Sequence, residues 1–269
     1  SMRRSNTVAL IFPELKKSTP GEGGYELYAD LNLSSCIRGA QEFLAENGID
    51  ILLLEATQTF LSSKRYINMI RGQLLDGALL WGMTDSSLWI QELIQEKLPA
   101  VMIQTESSIL DCPKVVCDDY AGMSDLVERA IRAGHRRFAV VHSDPTYSII
   151  AERNRAIDDV LSRHRIKPVC KPVGLEASFQ KGMELVDDML LNHPDITCII
   201  TPLGLVGYGW RAKLKERKIN VPADMSVIGG DAILLPGILN NMTSFFCDFK
   251  QVGRRGAESL LQLVNGTQT

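Results

Sequence analysis

Short apolar runs alternate along this chain with stretches whose apolar residues recur every three or four positions. Val8 to Phe12 is an apolar run that Pro13 ends, which predicts a first strand. Leu33, Ile37, Ala40 and Leu44 then recur at helical spacing, with Gly48 as the carboxyl-end stop. The same reading gives strands at Ile49 to Leu54, Gly77 to Trp81, Ala100 to Ile103 and Val115 to Cys117. Between them it gives helices from Ser62 or Ser63 through Ile70 and from Asp85 to Lys97. Asp118 or Asp119 opens a further helix through Leu126, Ala130 and Ala133, stopped by Gly134. Strands follow at Phe138 to Val141, Val169 to Val173 and Cys198 to Ile200, separated by helices at Ile149 to Leu161, Phe179 to Leu191 and Leu205 to Lys218. A last strand at Val227 and Ile228 precedes a helix from Val252 to Val264. Such alternation predicts parallel sheets with helices on both faces. The strands are too many for one small domain, and a cut near Asp118 divides them into two similar sets. The chain is thus expected to form two doubly wound α/β lobes facing a cleft.

The stretch INVPADMSVIGGDA, from Ile219 to Ala232, organises the second half. Pro222 suits a strand entry, Val227 and Ile228 read as a buried parallel strand, and Asp231 falls just past its carboxyl end. Ligands of open α/β sheets collect outside those ends, and a carboxylate there can accept hydrogen bonds from vicinal hydroxyls. The alternative is that Asp231 caps a turn. A glycine-rich stretch from Glu14 to about Tyr28 reads as a long loop at the end of the first strand, where a lid or binding loop would lie.

With 269 residues and 45% hydrophobic content, each lobe can bury a core. No run of ~18 apolar residues offers a membrane span, and the amino end lacks a signal-peptide pattern, so the expected setting is the cytoplasm. A formal net charge of -3 gives no basic footprint for nucleic acid. The six cysteines show no zinc-type or redox-type spacing and are expected to be reduced, mostly buried thiols. Adjacent Asp118 and Asp119 on a strand would face opposite ways, which argues against a paired-carboxylate mechanism. His135, His142, His164 and His193 show no metal-ligand arrangement, and His135 is expected to satisfy backbone groups in its turn. Phosphate-binding glycine motifs and a nucleophile elbow are also missing, so neither an enzyme activity nor a cofactor or metal is expected.

Taken together, VPADMSVIGGD ending at Asp231, AGHRRFAVV from Ala133 to Val141 and RGQLLDGALL from Arg71 to Leu80 carry a resemblance. So do VVCDDYAG around Asp118, AERNRA around Arg153 and GRRGAESLLQL near the end. In order and spacing, the chain resembles the effector-binding core of the lactose repressor (LacI) family of bacterial transcription regulators over nearly its whole length. The resemblance implies a periplasmic-binding-protein-like fold of type I, a ligand in the cleft and a homodimer. It also implies a helix-turn-helix DNA-binding headpiece, which is not in this sequence. Residues 1–6 would be a tag remnant and the end of a linker, 7–118 plus about 246–269 the amino-terminal lobe, and 119–245 the carboxyl-terminal lobe.

Carried over by motif, the ligand positions implied are Asn32, Trp81, Asp118, Tyr147, Arg153 and Asp231. Asp231 would take ligand hydroxyls, and Arg153 offers a planar five-donor fork for hydroxyls or a carboxylate. Trp81 could stack on a sugar face. Structural alternatives stand beside these: Arg153 pairing with Glu152 or Asp158, Asp118 only capping its helix, Trp81 in the core. The chain also departs from the family pattern. It has Leu203-Gly204 where Asn-Asp is usual, Ala177 where a stacking aromatic is common, Asp30-Leu31-Asn32 for Asn-Pro-Phe, and Ala156 for a glycine. The implied function is the sensing and dimerisation core of a regulator that binds a small polar effector, a sugar or sugar derivative. The rival is the exported solute-binding protein of a sugar transporter, which would be a monomer.

Overall fold

The computed structural model describes residues 4–14, 24–84, 87, 89–105, 107, 112–170, 178–230 and 242–267, and the side chains of these apart from residues 24–30 and 170. The chain divides into two compact units. Unit one takes Ser1–Lys16, Asp30–Cys117 and Asp248–Thr269, and unit two takes Lys17–Ala29 and Asp118–Cys247.

Unit one is built on a five-stranded parallel sheet in the order β2-β1-β3-β4-β5. Its strands are β1 (Thr7–Pro13), β2 (Asp50–Ala56), β3 (Gly77–Trp81), β4 (Ala100–Ile103) and β5 (Lys114–Val115). In β1, β3 and β4 the two faces are both apolar, as parallel strands covered on each side require. Ala9, Ile11, Ala78, Leu80, Ala100 and Met102 point to one face and pack with Phe60 of α2 (Gln58–Ser62), Tyr66 and Ile67 of α3 (Arg65–Arg71), and Ile90 and Leu93 of α4 (Trp89–Gln95). On the opposite face lie α1 (Gly24–Glu46) from Asp30 onward and α9 (Phe249–Asn265). A Cβ at Gly39 would sit 1.8 Å from the Lys250 carbonyl oxygen, and one at Gly253 would sit 1.9 Å from that of Cys36. Only glycines let these two helices cross so closely.

Unit two carries a four-stranded parallel sheet, β7-β6-β8-β9, made of β6 (Phe138–Val140), β7 (Val169–Cys170), β8 (Cys198–Thr201) and β9 (Ser226–Gly229). Ala139, Ile199 and Val227 face α7 (Phe179–Asn192) and α8 (Gly204–Glu216), burying Val186, Met189, Val206, Trp210 and Leu214. Phe138, Val140, Cys198, Ile200 and Ile228 face α5 (Asp119–Arg132) and α6 (Ser148–Arg163). Helices therefore cover both sides of each sheet, the α/β class expected from the alternation.

The structure departs from the expectations in four places. Helix α1 begins at Gly24, inside the stretch read as a loop, because no glycine or proline interrupts Tyr25 to Arg38. The helix expected from Ser62 or Ser63 through Ile70 starts at Arg65, after Lys64 takes a left-handed backbone (φ 48°), and a short helix that was not expected, α2, precedes it. His135 hydrogen-bonds side chains and not backbone: its ring nitrogens lie 2.9 Å from Thr197 Oγ1 and 3.0 Å from Ser226 Oγ. Cys36 and Cys198 are buried free thiols, but Cys117 and Cys247 are each disulfide-bonded, which corrects the expectation of reduced, mostly buried thiols.

Candidate functional site

Two helices of unit two each carry one charged residue in their apolar stripe. Along α5 the buried positions are Asp119, Met123, Leu126, Val127, Ala130 and Ile131. Along α6 they are Ile150, Arg153, Ala156, Ile157, Val160 and Leu161. Helical periodicity carries Asp119 and Arg153 under the protein as surely as it carries the leucines. The two side chains meet there, 3% and 0% exposed. Arg153 Nε donates to Asp119 Oδ1 at 2.6 Å, and Nη2 lies 2.6 Å from the same oxygen.

The guanidinium is held on two further sides. Nη1 donates to the Pro202 carbonyl at 3.0 Å, just past the end of β8, and the Phe245 ring centroid lies 5.1 Å from the guanidinium carbon. Glycines make room for these contacts. A Cβ at Gly230 would stand 1.9 Å from the Pro202 oxygen and 3.2 Å from Arg153 Nη1, and one at Gly122 would stand 2.9 Å from the Phe245 ring. Gly230, just past the end of β9, is thereby explained by close backbone approach around the arginine. Asp119 Oδ2 is buried and has no hydrogen-bond partner. Burial pushes the Asp119 carboxyl above its ordinary value, and the guanidinium offsets only part of that push.

Next to this pair, the chain leaving β6 adds neutral polar groups. Asn154 Nδ2 donates to the Ser143 carbonyl at 2.8 Å, while Asn154 Oδ1 and Ser143 Oγ are buried without partners. Buried polar atoms of this kind are the exception in folded proteins, and a ligand is one thing that satisfies them.

The residues singled out from the sequence fall as follows. Arg153 lies at the centre of the cluster, and its partner is Asp119, not Glu152 or Asp158. Glu152 instead pairs with Arg155, and Asp158 Oδ1 accepts from His142 Nε2 at 2.9 Å. Asp118 is exposed and caps α5, accepting from the Ala121 amide at 2.9 Å. Tyr147 occupies the N-cap position of α6, packed against the core, and burial raises its hydroxyl pKa. Asn32 is half-buried on α1 of unit one. Trp81 ends β3, with its indole Nε1 buried and unpartnered. Asp231 and Ala177 lie outside the described residues. Asp119 was not among the expected site residues; its place four positions before Met123, in the stripe of α5, is the signal that marks it. Among the described residues no group of three or more His, Cys, Asp or Glu could hold a metal ion, and no helix is long and apolar enough to cross a membrane.

Known proteins resemble this chain closely in architecture. Residues 127–269 match the family model described as a periplasmic binding protein-like domain. The HTH-type transcriptional regulator TreR of Salmonella typhimurium is 24% identical over 225 residues, spanning 82% of this chain and 67% of that protein. The solved structure of the transcriptional regulator CelR in complex with cellobiose superposes with a TM-score of 0.81 at 22% identity, covering 99% of this chain and 80% of that one. The lac repressor dimer bound to operator and the anti-inducer ONPF gives a TM-score of 0.81 at 17% identity, covering 100% and 90%. These relatives are transcriptional regulators, not enzymes. Matched over more than half its length, and with LacI-type regulators as its relatives and structural neighbours, this chain belongs to the periplasmic binding protein-like domain family.

Proposed function

We propose that this chain is the effector-sensing and dimerisation core of a LacI-type transcriptional regulator acting in the cytoplasm. The buried cluster around Arg153 carries this reading. A guanidinium, a carboxylate oxygen without a partner and two unpartnered neutral groups lie beyond the carboxyl ends of strands in a doubly wound sheet, where such folds bind small ligands. The ligand is a small polar molecule, a sugar or sugar derivative, as cellobiose is for the structural neighbour. Asp231, Asp118, Tyr147, Asn32 and Trp81 are proposed as further contacts. Operator DNA would be bound through a helix-turn-helix headpiece carried outside residues 1–269. The effector modulates that binding only through its different affinity for two arrangements of the protein, typically ~1–3 kcal/mol of coupling.

A second copy of the chain is the occupant we assign to the outer edge of β2. That strand reads Asp50-Ile51-Leu52-Leu53-Leu54, and Leu52 and Leu53 are 36% and 46% exposed at the end of the sheet. An apolar edge strand left open invites pairing, and a second copy covers it.

The test is a thermal-shift screen against neutral sugars, sugar acids and nucleosides. A compound that raises the melting temperature of the wild type should lose that effect in Asp231→Ala and in Arg153→Gln. Both variants retaining the full shift would refute the assignment.

A further inference from the structure

We propose that Asp119 sets the chemical class of the effector: by holding the charge of Arg153, it admits neutral, hydroxyl-bearing groups to this part of the site and turns away carboxylates and phosphates. The proposal deepens the effector reading above and rests on it.

An arginine in a ligand site is ordinarily the group an anion seeks, because its planar fork matches carboxylate and phosphate oxygens. Here the fork is already engaged. Asp119 Oδ1 lies 2.6 Å from both Nε and Nη2, the Pro202 carbonyl accepts from Nη1 at 3.0 Å, and the Phe245 ring closes another side. The ion pair lies wholly within unit two and its charges cancel.

A ligand carboxylate or phosphate approaching this arginine has two courses. It can add a second negative charge beside Asp119, which is 4% exposed, so that like charges meet with little water to screen them. Or it can displace Asp119, leaving a buried carboxylate without its counter-ion, the costliest way to break such a pair. Burial already disfavours the ionised form of Asp119, and a nearby anion adds to that strain.

A neutral donor meets the opposite situation. Asp119 Oδ2 is a buried acceptor with no partner, as is Asn154 Oδ1, and the Ser143 hydroxyl can accept or donate. A ligand hydroxyl donates to such oxygens without disturbing the pair, and each bond it makes satisfies an atom otherwise left short.

The experiment compares matched probes on the whole chain by thermal shift and titration calorimetry: galactose with galacturonate, glucose with glucose 6-phosphate, cellobiose with cellobionate. The wild type should bind a neutral member at least tenfold more tightly than its anionic counterpart. Asp119→Asn keeps the shape and removes the negative charge; it should bring the anionic member to equal or tighter binding than the neutral one. In that variant the melting temperature should also rise with inorganic sulfate more steeply than in the wild type, as the guanidinium, relieved of the Asp119 charge, takes up an anion. A wild type that binds an anionic member as tightly as its neutral counterpart overturns the proposal, as does an Asp119→Asn protein with an unchanged ratio. If Asp119→Asn does not fold, the wild-type ratios decide alone. A wild type whose melting no probe shifts, neutral or anionic, refutes instead the effector reading on which the proposal stands.

Discussion

Arg153 on α6 donates to Asp119 on α5 across 2.6 Å, and both side chains are shut off from solvent. Helices α5 and α6 are otherwise joined by apolar contacts among Val127, Ile131, Ile157 and Val160. Removing one member of a buried pair strands the other, a loss of about 3–5 kcal/mol, whereas replacing both with apolar groups of similar size is often close to neutral. Asp119→Ala should therefore lower stability by about that amount in urea denaturation, and the double variant Asp119→Leu/Arg153→Met should recover most of the loss. A single variant costing under ~1 kcal/mol, the scale of an exposed pair, would show that the charges are solvated in solution.

Helices α7 and α8 meet at glycines from both sides. A Cβ at Gly209 would lie 2.0 Å from the Phe179 carbonyl oxygen and 3.0 Å from the Met183 amide nitrogen, and one at Gly182 would lie 2.3 Å from the Val206 oxygen. The neighbours are backbone atoms and cannot swing aside, so the helices must separate to admit a methyl. Gly209→Ala should cost about 1–3 kcal/mol, as overpacking does, even though alanine favours the helix itself. A melting curve several degrees lower is the expected result. Gly134→Ala is a useful contrast: nothing stands within 4 Å of its added Cβ, and the strain there comes from the backbone alone (φ 101°).

The alternation of apolar runs and helical stripes made the doubly wound class readable from the sequence, since strands such as Val8 to Ile11 and Val101 to Ile103 are buried on both faces and so continuously apolar. The site was readable in part. Arg153 stood out by its motif, but Asp119 was read only as a possible helix opener beside Asp118 or as its strand neighbour, not as a buried partner for a cation. Placed on a helix, the two part company: Asp118 caps and stays exposed, while Asp119 turns into the core. The start of α3 at Arg65 was hidden because a left-handed lysine at position 64 carries no glycine signal. The disulfide-bonded state of Cys117 and Cys247 was hidden because spacing along the chain says nothing about sulfurs brought near by the fold.

Within unit two, His135 ties the entries of two strands together, bonding Thr197 before β8 and Ser226 at the start of β9. Burial lowers its pKa below the ordinary 6.5. A histidine whose folded pKa lies below its unfolded one favours the fold while neutral, so its contribution is present above about pH 6.5 and is lost as pH falls through the folded value. Stability should decline on acidification from pH 7.5 toward 5, and His135→Gln, which does not titrate, should flatten that portion of the curve. Parallel curves for the two proteins would mean that the decline comes from other groups.

The exposed leucines of β2 bear on assembly. Leu52 and Leu53 are adjacent and so face opposite sides of an edge strand, and both remain accessible, with Leu53 the more open at 46%. A second chain laid against this edge would bury both, whereas water alone leaves them an aggregation risk. Lysine at position 53 keeps a long aliphatic stem but sets an ammonium on the edge, and two copies related by a two-fold axis would bring like charges together. Leu53→Lys is expected to sediment as a monomer at micromolar concentration where the wild type sediments as a dimer, with its far-ultraviolet circular dichroism unchanged. A variant that stays dimeric places the interface elsewhere on the chain, and a wild type that is monomeric removes the second copy altogether.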